Sequence, residues 1–262
     1  MTELSAYDVD IVLGGRPIVR NASVVVRPGE LAGLIGPNGA GKSTLLRALC
    51  GLLPLARGSV QLNGRETKEL GAQALARRIA YLPQRHVLHW RLSARQVVAL
   101  GRLPHTGASA AAHQRAIDGA VEHADIKDLL DQEVDTLSGG ERARVMLARA
   151  LAVESDVLLA DEPVAPLDPF HALQIMEMLR NRARDGMTVL IVLHDLALAM
   201  RFCDRLSLMQ NGIVTACGRP TDVLSPDHLA LAYRVTGVYS EAEGERYVVP
   251  WRQADRLRGQ NN

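Results

Sequence analysis

A glycine-rich stretch carries the clearest chemical signal in this sequence. Residues 36–43 fit the pattern G-x-x-x-x-G-K-[ST], after an apolar run at 31–35 and before a helical run at 45–49. Glycines let successive backbone N–H groups point at phosphate oxygens, and a helix N-terminus adds partial positive charge. A plain glycine turn is the alternative, but it does not need the Lys-Ser-Thr that follows. The pattern therefore predicts a nucleoside triphosphate site.

The residues of this phosphate loop have separate expected roles. We expect Lys42 to contact the β- and γ-phosphates and the Ser43 hydroxyl to ligate Mg²⁺. The other loop residues would surround the phosphates; they are Gly36, Pro37, Asn38, Gly39, Ala40, Gly41 and Thr44. The sequence thus predicts that nucleotide and Mg²⁺ bind together.

Two adjacent carboxylates follow a second apolar run, at residues 157–160. A buried strand that ends beside the phosphate loop would let Asp161 hold Mg²⁺. Glu162 is then placed to orient or deprotonate an attacking water. Asp-Glu pairs are also common on protein surfaces, but the preceding apolar strand favours a catalytic pair.

The segment Leu-Ser-Gly-Gly-Glu at 137–141 has two interpretations. Ser138 and Glu141 fit a capping box at the start of a helix. A helix start does not need two consecutive glycines, which weaken a helix by about 1 kcal/mol each. Exposed N–H groups at a helix N-terminus are useful where a phosphate approaches closely. We therefore predict that Ser138, Gly139 and Gly140 contact nucleotide.

The surrounding patterns predict an α/β fold with antiparallel strands beside a parallel core. Alternating β-branched segments open the chain, and helical spacing dominates residues 85–153. The runs at 157–160 and 188–193 predict fully buried parallel strands. A strand pair and a polar tail are expected at 237–262. We expect a single domain, residues 1–262, with 85–153 inserted as a helical subdomain.

Composition narrows the classes of partner. The 262 residues hold 30 Lys+Arg and 29 Asp+Glu without a basic run, so nothing favours nucleic acid. Three scattered cysteines are typical of a reduced, cytoplasmic protein. We expect no signal peptide, and no apolar run approaches the ~20 residues of a membrane helix. Irregular spacing argues against a metal site, so we interpret five histidines as surface residues: His86, His89, His105, His113 and His123.

The order of these motifs resembles the ATP-binding cassette (ABC) family over nearly the whole chain. The family signature LSGGQ matches here as LSGGE, with Glu141 in place of glutamine. Gln84 stands at the Q-loop, Leu167-Asp168 at the D-loop and His194 at the switch histidine. The resemblance implies a P-loop NTPase that hydrolyses ATP, with a RecA-like core, an antiparallel β subdomain and an inserted α-helical subdomain.

The resemblance also assigns roles. His194, which by itself reads as a capped or surface residue, would contact the γ-phosphate. Gln84 would coordinate Mg²⁺ or water and couple the site to the helical subdomain. Leu13 occupies the position of the family's adenine-stacking aromatic, with Tyr7 nearby as an alternative. Pro166 stands in the D-loop where alanine is frequent.

Partners follow from the same resemblance. The family closes the signature of one subunit over the triphosphate of another, which implies a homodimer. Residues 81–105, with VVALGRLPH at 97–105, are similar to importers of haem, ferric siderophores and cobalamin. That implies a multi-helix permease, a substrate-binding protein and a peripheral position at the cytoplasmic face of the membrane. Trp90 and Leu92 would either pack in the core or receive a permease helix.

Three other functions remain open at this stage. An ABC ATPase for another solute or for export has the same motifs. A soluble ABC ATPase acting on DNA or ribosomes usually has two cassettes or long coiled-coil inserts, which this chain lacks. A non-hydrolysing nucleotide switch is disfavoured because Glu162 and His194 are both present.

Overall fold

The computed structural model describes residues 1–84, 91–165 and 167–254. Trp90, Pro166 and most of the predicted tail lie outside these ranges. The strands are β1 Leu4–Leu13, β2 Arg16–Val26, β3 Leu31–Ile35, β4 Arg57–Leu62, β5 Arg65–Glu66, β6 Ile79–Leu82, β7 Val157–Asp161, β8 Thr188–Val192, β9 Arg205–Gln210, β10 Ile213–Gly218, β11 Val235–Ala242 and β12 Glu245–Gln253. The helices are α1 Lys42–Leu49, α2 Ala72–Arg78, α3 Ala94–Ala99, α4 Ala110–His123, α5 Gly139–Leu151, α6 Pro169–Arg184, α7 Leu196–Phe202, α8 Pro220–Val223 and α9 Pro226–His228.

A six-stranded sheet forms the centre, in the order β10-β9-β3-β8-β7-β6. Strands β9, β3, β8, β7 and β6 run parallel, and β10 is antiparallel to β9. Every residue of β3, β7 and β8 is buried, as continuous apolar runs predict. The carboxyl ends of β3, β8, β7 and β6 therefore meet at one edge, where the predicted site residues follow.

Two cores cover the two faces of this sheet. On one face Leu34 and Leu159 pack with α1 and the antiparallel sheet β2-β1-β4-β5. On the other, Ile35 and Leu158 pack with α3 and α5–α7. Successive strand residues point to opposite faces, so one short strand supplies both cores. The predicted α/β fold with an antiparallel β subdomain is confirmed.

Helices α3–α5 occupy the chain between β6 and β7, and we continue to propose residues 85–153 as an inserted subdomain. The C-terminal strand pair begins at Val235, earlier than the predicted residue 237. Its buried residue Val248 anchors it beside Leu229 and Gly237. Within the described ranges, no helix combines the length and apolarity needed to cross a membrane.

Candidate functional site

The phosphate loop joins β3 to α1 through a backbone shape that requires glycine. Gly36 has φ 146°, and a Cβ there would lie 2.0 Å from the Met209 carbonyl oxygen. Lys42 is only 5% exposed, and its Nζ donates to the carbonyl oxygens of Gly36 at 2.8 Å and Pro37 at 3.0 Å. An ammonium has three N–H donors, so one remains for a phosphate oxygen.

The surroundings of Lys42 act on its charge in opposite directions. Burial lowers the pKa of the Lys42 ammonium, while the carboxylates of Glu162 and Asp161 oppose that shift. The ammonium is thus held in a poorly solvated position close to two acids. Phosphate oxygens would add negative charge here and further favour the charged lysine.

Asp161 is the last residue of β7 and is 3% exposed. The Ser43 hydroxyl donates to Oδ1 at 2.9 Å, and the Tyr81 hydroxyl donates to Oδ2 at 3.4 Å. Burial raises the pKa of Asp161, an effect that the Ser43 hydrogen bond opposes and the charge of Glu162 reinforces. A carboxylate beside a hydroxyl is the hard oxygen pair that Mg²⁺ prefers, so these residues fit the predicted cation.

Glu162 lies immediately beyond β7 in the left-handed region, at φ 53°. Such a conformation in a residue with a side chain is strained and often marks a functional site. Gln84 donates to one carboxylate oxygen, and His194 Nε2 shares a hydrogen bond with the other. The Glu162 side chain is 10% exposed. Glu162, Gln84 and His194, which were predicted to act on the water, the cation and the γ-phosphate, therefore lie together.

A cavity of about 320 Å³ lies between the phosphate loop and the side chains of Glu162 and His194. It is lined by Ile18, Asn38, Gly39, Ala40, Gly41, Lys42, Ser43, Thr44, Glu162 and His194. Ile18 on β2 was not predicted, because the side-chain direction on a strand depends on its register. Leu13, at the end of β1, is 36% exposed and does not line this cavity. Its contact with adenine stays a prediction.

The signature residues lie at the start of α5 and do not line this cavity. Both hydrogen bonds of the capping box form, Glu141 Oε2 accepting from the Ser138 N–H at 2.9 Å and Ser138 Oγ from the Glu141 N–H at 3.3 Å. A Cβ on Gly140 would lie 2.3 Å from the His171 ring, whereas one on Gly139 would meet nothing within 4 Å. Gly140 therefore allows the His171 ring to pack against α5, whereas Gly139 leaves the N-terminus of α5 open.

His171 connects the signature to the D-loop within the same chain, a link that sequence patterns did not reveal. Asp168 caps α6 by accepting the His171 N–H at 3.0 Å, and its other oxygen bonds His171 Nδ1 at 2.8 Å. The backbone N–H and the ring of His171 lower the pKa of Asp168. The ring then packs on Gly140. Asp168 holds the ring locally, and the packing of α6 on α5 brings it to the signature.

The family match and the similar proteins all belong to ABC transporters. The family described as ABC transporter matches residues 19–165. The hemin import ATP-binding protein HmuV of Rhodococcus jostii is 43% identical over 88% of this chain and 79% of its own length. The cobalamin import ATP-binding protein BtuD of Halobacterium salinarum is 40% identical over 94% of this chain and 63% of its own.

Solved structures agree with this similarity. An ATP-binding subunit of an ABC transporter is 29% identical with a TM-score of 0.74, over 84% of this chain and 91% of its own. A dimeric bacterial ABC transporter cassette is 27% identical with a TM-score of 0.73, over 83% of this chain and 98% of its own. A putative metal-chelate type ABC transporter, at 22% identity and a TM-score of 0.82 over 96% of this chain and 98% of its own, shows the shared fold alone.

Proposed function

This chain belongs to the ABC transporter family and hydrolyses ATP, and we propose that two copies of it power the import of haem, an iron chelate or cobalamin through a separate permease. The observation that carries the catalytic part is Glu162, held between Gln84 and His194 beside the phosphate loop. The solute class is supported by the hemin and cobalamin import relatives.

The geometry suggests how the residues divide the reaction. Lys42 and the loop N–H groups would bind the phosphates. Mg²⁺, held by Ser43, Asp161 and Gln84, would neutralise phosphate charge. Glu162 would accept the proton of the attacking water, and His194 would orient that carboxylate and contact the γ-phosphate.

A second copy of the chain would complete this site. The loop and the catalytic carboxylate lie together, whereas Ser138, Gly139 and Gly140 are not among the residues lining their cavity. Gly139 leaves open space at the N-terminus of α5, which is suited to a phosphate held by another chain. Two chains facing each other would form two such sites, closing with ATP and opening after hydrolysis.

We place the chain at the cytoplasmic face of the cell membrane, bound to the permease and acting with a substrate-binding protein. Residues 84–105 would provide part of the permease contact. Leu92 is partly buried against the core, so its position favours core packing. Leu103 is 68% exposed, which suits an apolar contact with a short permease helix.

Leu103→Asp tests the proposed permease contact. The chain carries an affinity tag, and the complex that it forms is purified from membranes of the host. Vesicles containing the complex are loaded with ATP and Mg²⁺ on the side of this chain, and uptake of labelled haem, ferric siderophore and cobalamin is measured. We expect ATP-dependent uptake of one of them, lowered about tenfold or more by the buried charge. The isolated subunit should keep its hydrolysis rate.

Leu231→Asp is the matched control, because Leu231 is 63% exposed and lies near the C-terminal strand pair. It should leave uptake unchanged. Outward transport, or uptake of none of the three solutes, would contradict the import assignment. If no membrane protein accompanies the tagged chain, the permease partner is wrong.

A further inference from the structure

The turn after α3 contacts two helices, α5 and α2, and these contacts have no role in the catalytic site described above. We call residues 100–106 the strap; it begins with the 3₁₀ turn Leu100–Arg102. One side of the strap lies on the C-terminal end of α5, and the other contacts α2, next to β6. The strap contains all of LGRLPH, the last six residues of the segment VVALGRLPH that resembles the importers.

The strap backbone lies directly on α5. A Cβ on Gly101 would lie 2.2 Å from the Arg149 carbonyl oxygen. Arg102 is 6% exposed, and its Nη1 donates to the Ala152 carbonyl at 2.6 Å and to Glu154 Oε2 at 2.9 Å. The last carbonyls of a helix lack partners within it, and a cation there is favourable. Arg102 therefore caps the end of α5.

His105 adds a second bond at the same place. Its Nε2 lies 2.7 Å from the Val153 carbonyl oxygen. A carbonyl can only accept, so the ring carries its proton on Nε2. His105 is half-buried here, which corrects its interpretation as a surface residue.

The other side of the strap is bonded to α2. Arg77 Nε donates to the Pro104 carbonyl at 2.8 Å. Gln73 Nε2 donates to the same carbonyl at 3.2 Å and to Thr106 Oγ1 at 2.8 Å. Helix α2 leads directly into β6, the strand that ends before Gln84. The strap thus ties the end of α5 to the central sheet.

The opposite end of α5 carries the signature. The helix has 13 residues, so about 20 Å separate the strap from Gly139. From these contacts we propose that the strap sets the orientation of the signature helix on the core, with Gln73 and Arg77 as positioning residues. This inference rests on the proposed two-copy site. Leu103, which is exposed on the same strap, would give the proposed permease a direct contact with it.

Gln73 and Arg77 separate positioning from simple stabilisation. Arg102 is buried and donates to the Ala152 carbonyl at the end of α5. Its removal would leave that carbonyl without this donor and would lower the stability of the fold. Gln73 and Arg77 are exposed on α2, and truncating them creates no cavity. The double variant Gln73→Ala/Arg77→Ala therefore removes the side-chain bonds between the strap and α2 and leaves the contacts of the strap with α5 intact.

The test compares one binding measurement and one kinetic measurement on the full chain. ADP binding reports the phosphate loop, and kcat/KM for ATP reports signature engagement. In the double variant we expect ADP affinity to stay within about twofold of the parent while kcat/KM falls about three- to tenfold, because fewer molecules hold the dimer-competent orientation. Gln114→Ala/Arg115→Ala on α4 removes the same exposed residue types and should change neither quantity.

Two outcomes overturn the positioning role. Either the double variant matches the α4 control in kcat/KM, or its ADP affinity and melting temperature fall together with kcat/KM. Arg77→Lys, which keeps a donor, should stay close to the parent. A parent chain that hydrolyses no ATP would contradict the proposed function itself, a result distinguishable from both.

Discussion

We expect Glu162→Gln to lower the rate of ATP hydrolysis by roughly 10²–10⁴-fold, the usual contribution of a general base, while ATP still binds. The amide keeps the size of the side chain but cannot take a proton from water. Gln84 and His194 could still hydrogen-bond to the side-chain amide of the variant, in the place of the Glu162 carboxylate. Single-turnover hydrolysis and equilibrium ATP binding, measured on the same preparation, separate the two effects.

The control for this substitution is Glu122→Gln, because Glu122 is exposed on α4. It should hydrolyse ATP at the parent rate. Turnover of the Glu162 variant within a few-fold of the parent would show that another group accepts the proton.

Lys42→Ala acts at an earlier step and weakens ATP binding itself. A hydrogen bond to a charged group contributes about 1.5–3 kcal/mol, so ATP affinity should fall by roughly 10- to 150-fold. The loop carbonyls of Gly36 and Pro37 also lose their donor. Titration calorimetry with ATP measures the change.

Lys68→Ala serves as the matched control, since Lys68 is 78% exposed and pairs with Glu66 rather than with the phosphate loop. Its ATP affinity should equal that of the parent. Equal affinities in both variants would mean that the phosphates do not contact Lys42.

The buried strands and the chemistry at their ends could be predicted from sequence for a physical reason. Strands β7 and β8 are buried on both faces, so each reads as an unbroken apolar run. Asp161, Glu162 and His194 follow these runs directly. The carboxyl ends of parallel strands share one sheet edge, so the residues had to converge.

Other parts of the site depend on pairings that no local pattern encodes. The order β3-β8-β7-β6 does not follow the chain, and it alone brings Gln84 to Glu162. Tyr81 and Ile18 sit on strands whose register decides which side chain faces the site. His171 required the contact between α5 and α6. The contact of the strap with α5 could not be predicted from local patterns either, because the bond from Arg102 to Ala152 joins residues 50 positions apart.

We propose that a second copy of this chain completes the ATP site. Light scattering of the Glu162→Gln chain tests it by comparing the mass with Mg²⁺ and ATP against the mass with ADP. Gly139→Asp in the same background is the decisive partner variant. A carboxylate at a helix N-terminus favours the helix, and Gly139 has open space around it, but the added charge would repel an incoming phosphate.

We predict that the Glu162→Gln chain is a dimer of about twice 28.4 kDa with ATP and a monomer with ADP. With Gly139→Asp added, the chain should still bind ATP but remain a monomer. The same mass with both nucleotides, or a dimer that persists when Gly139 is replaced, would contradict a site shared between two copies.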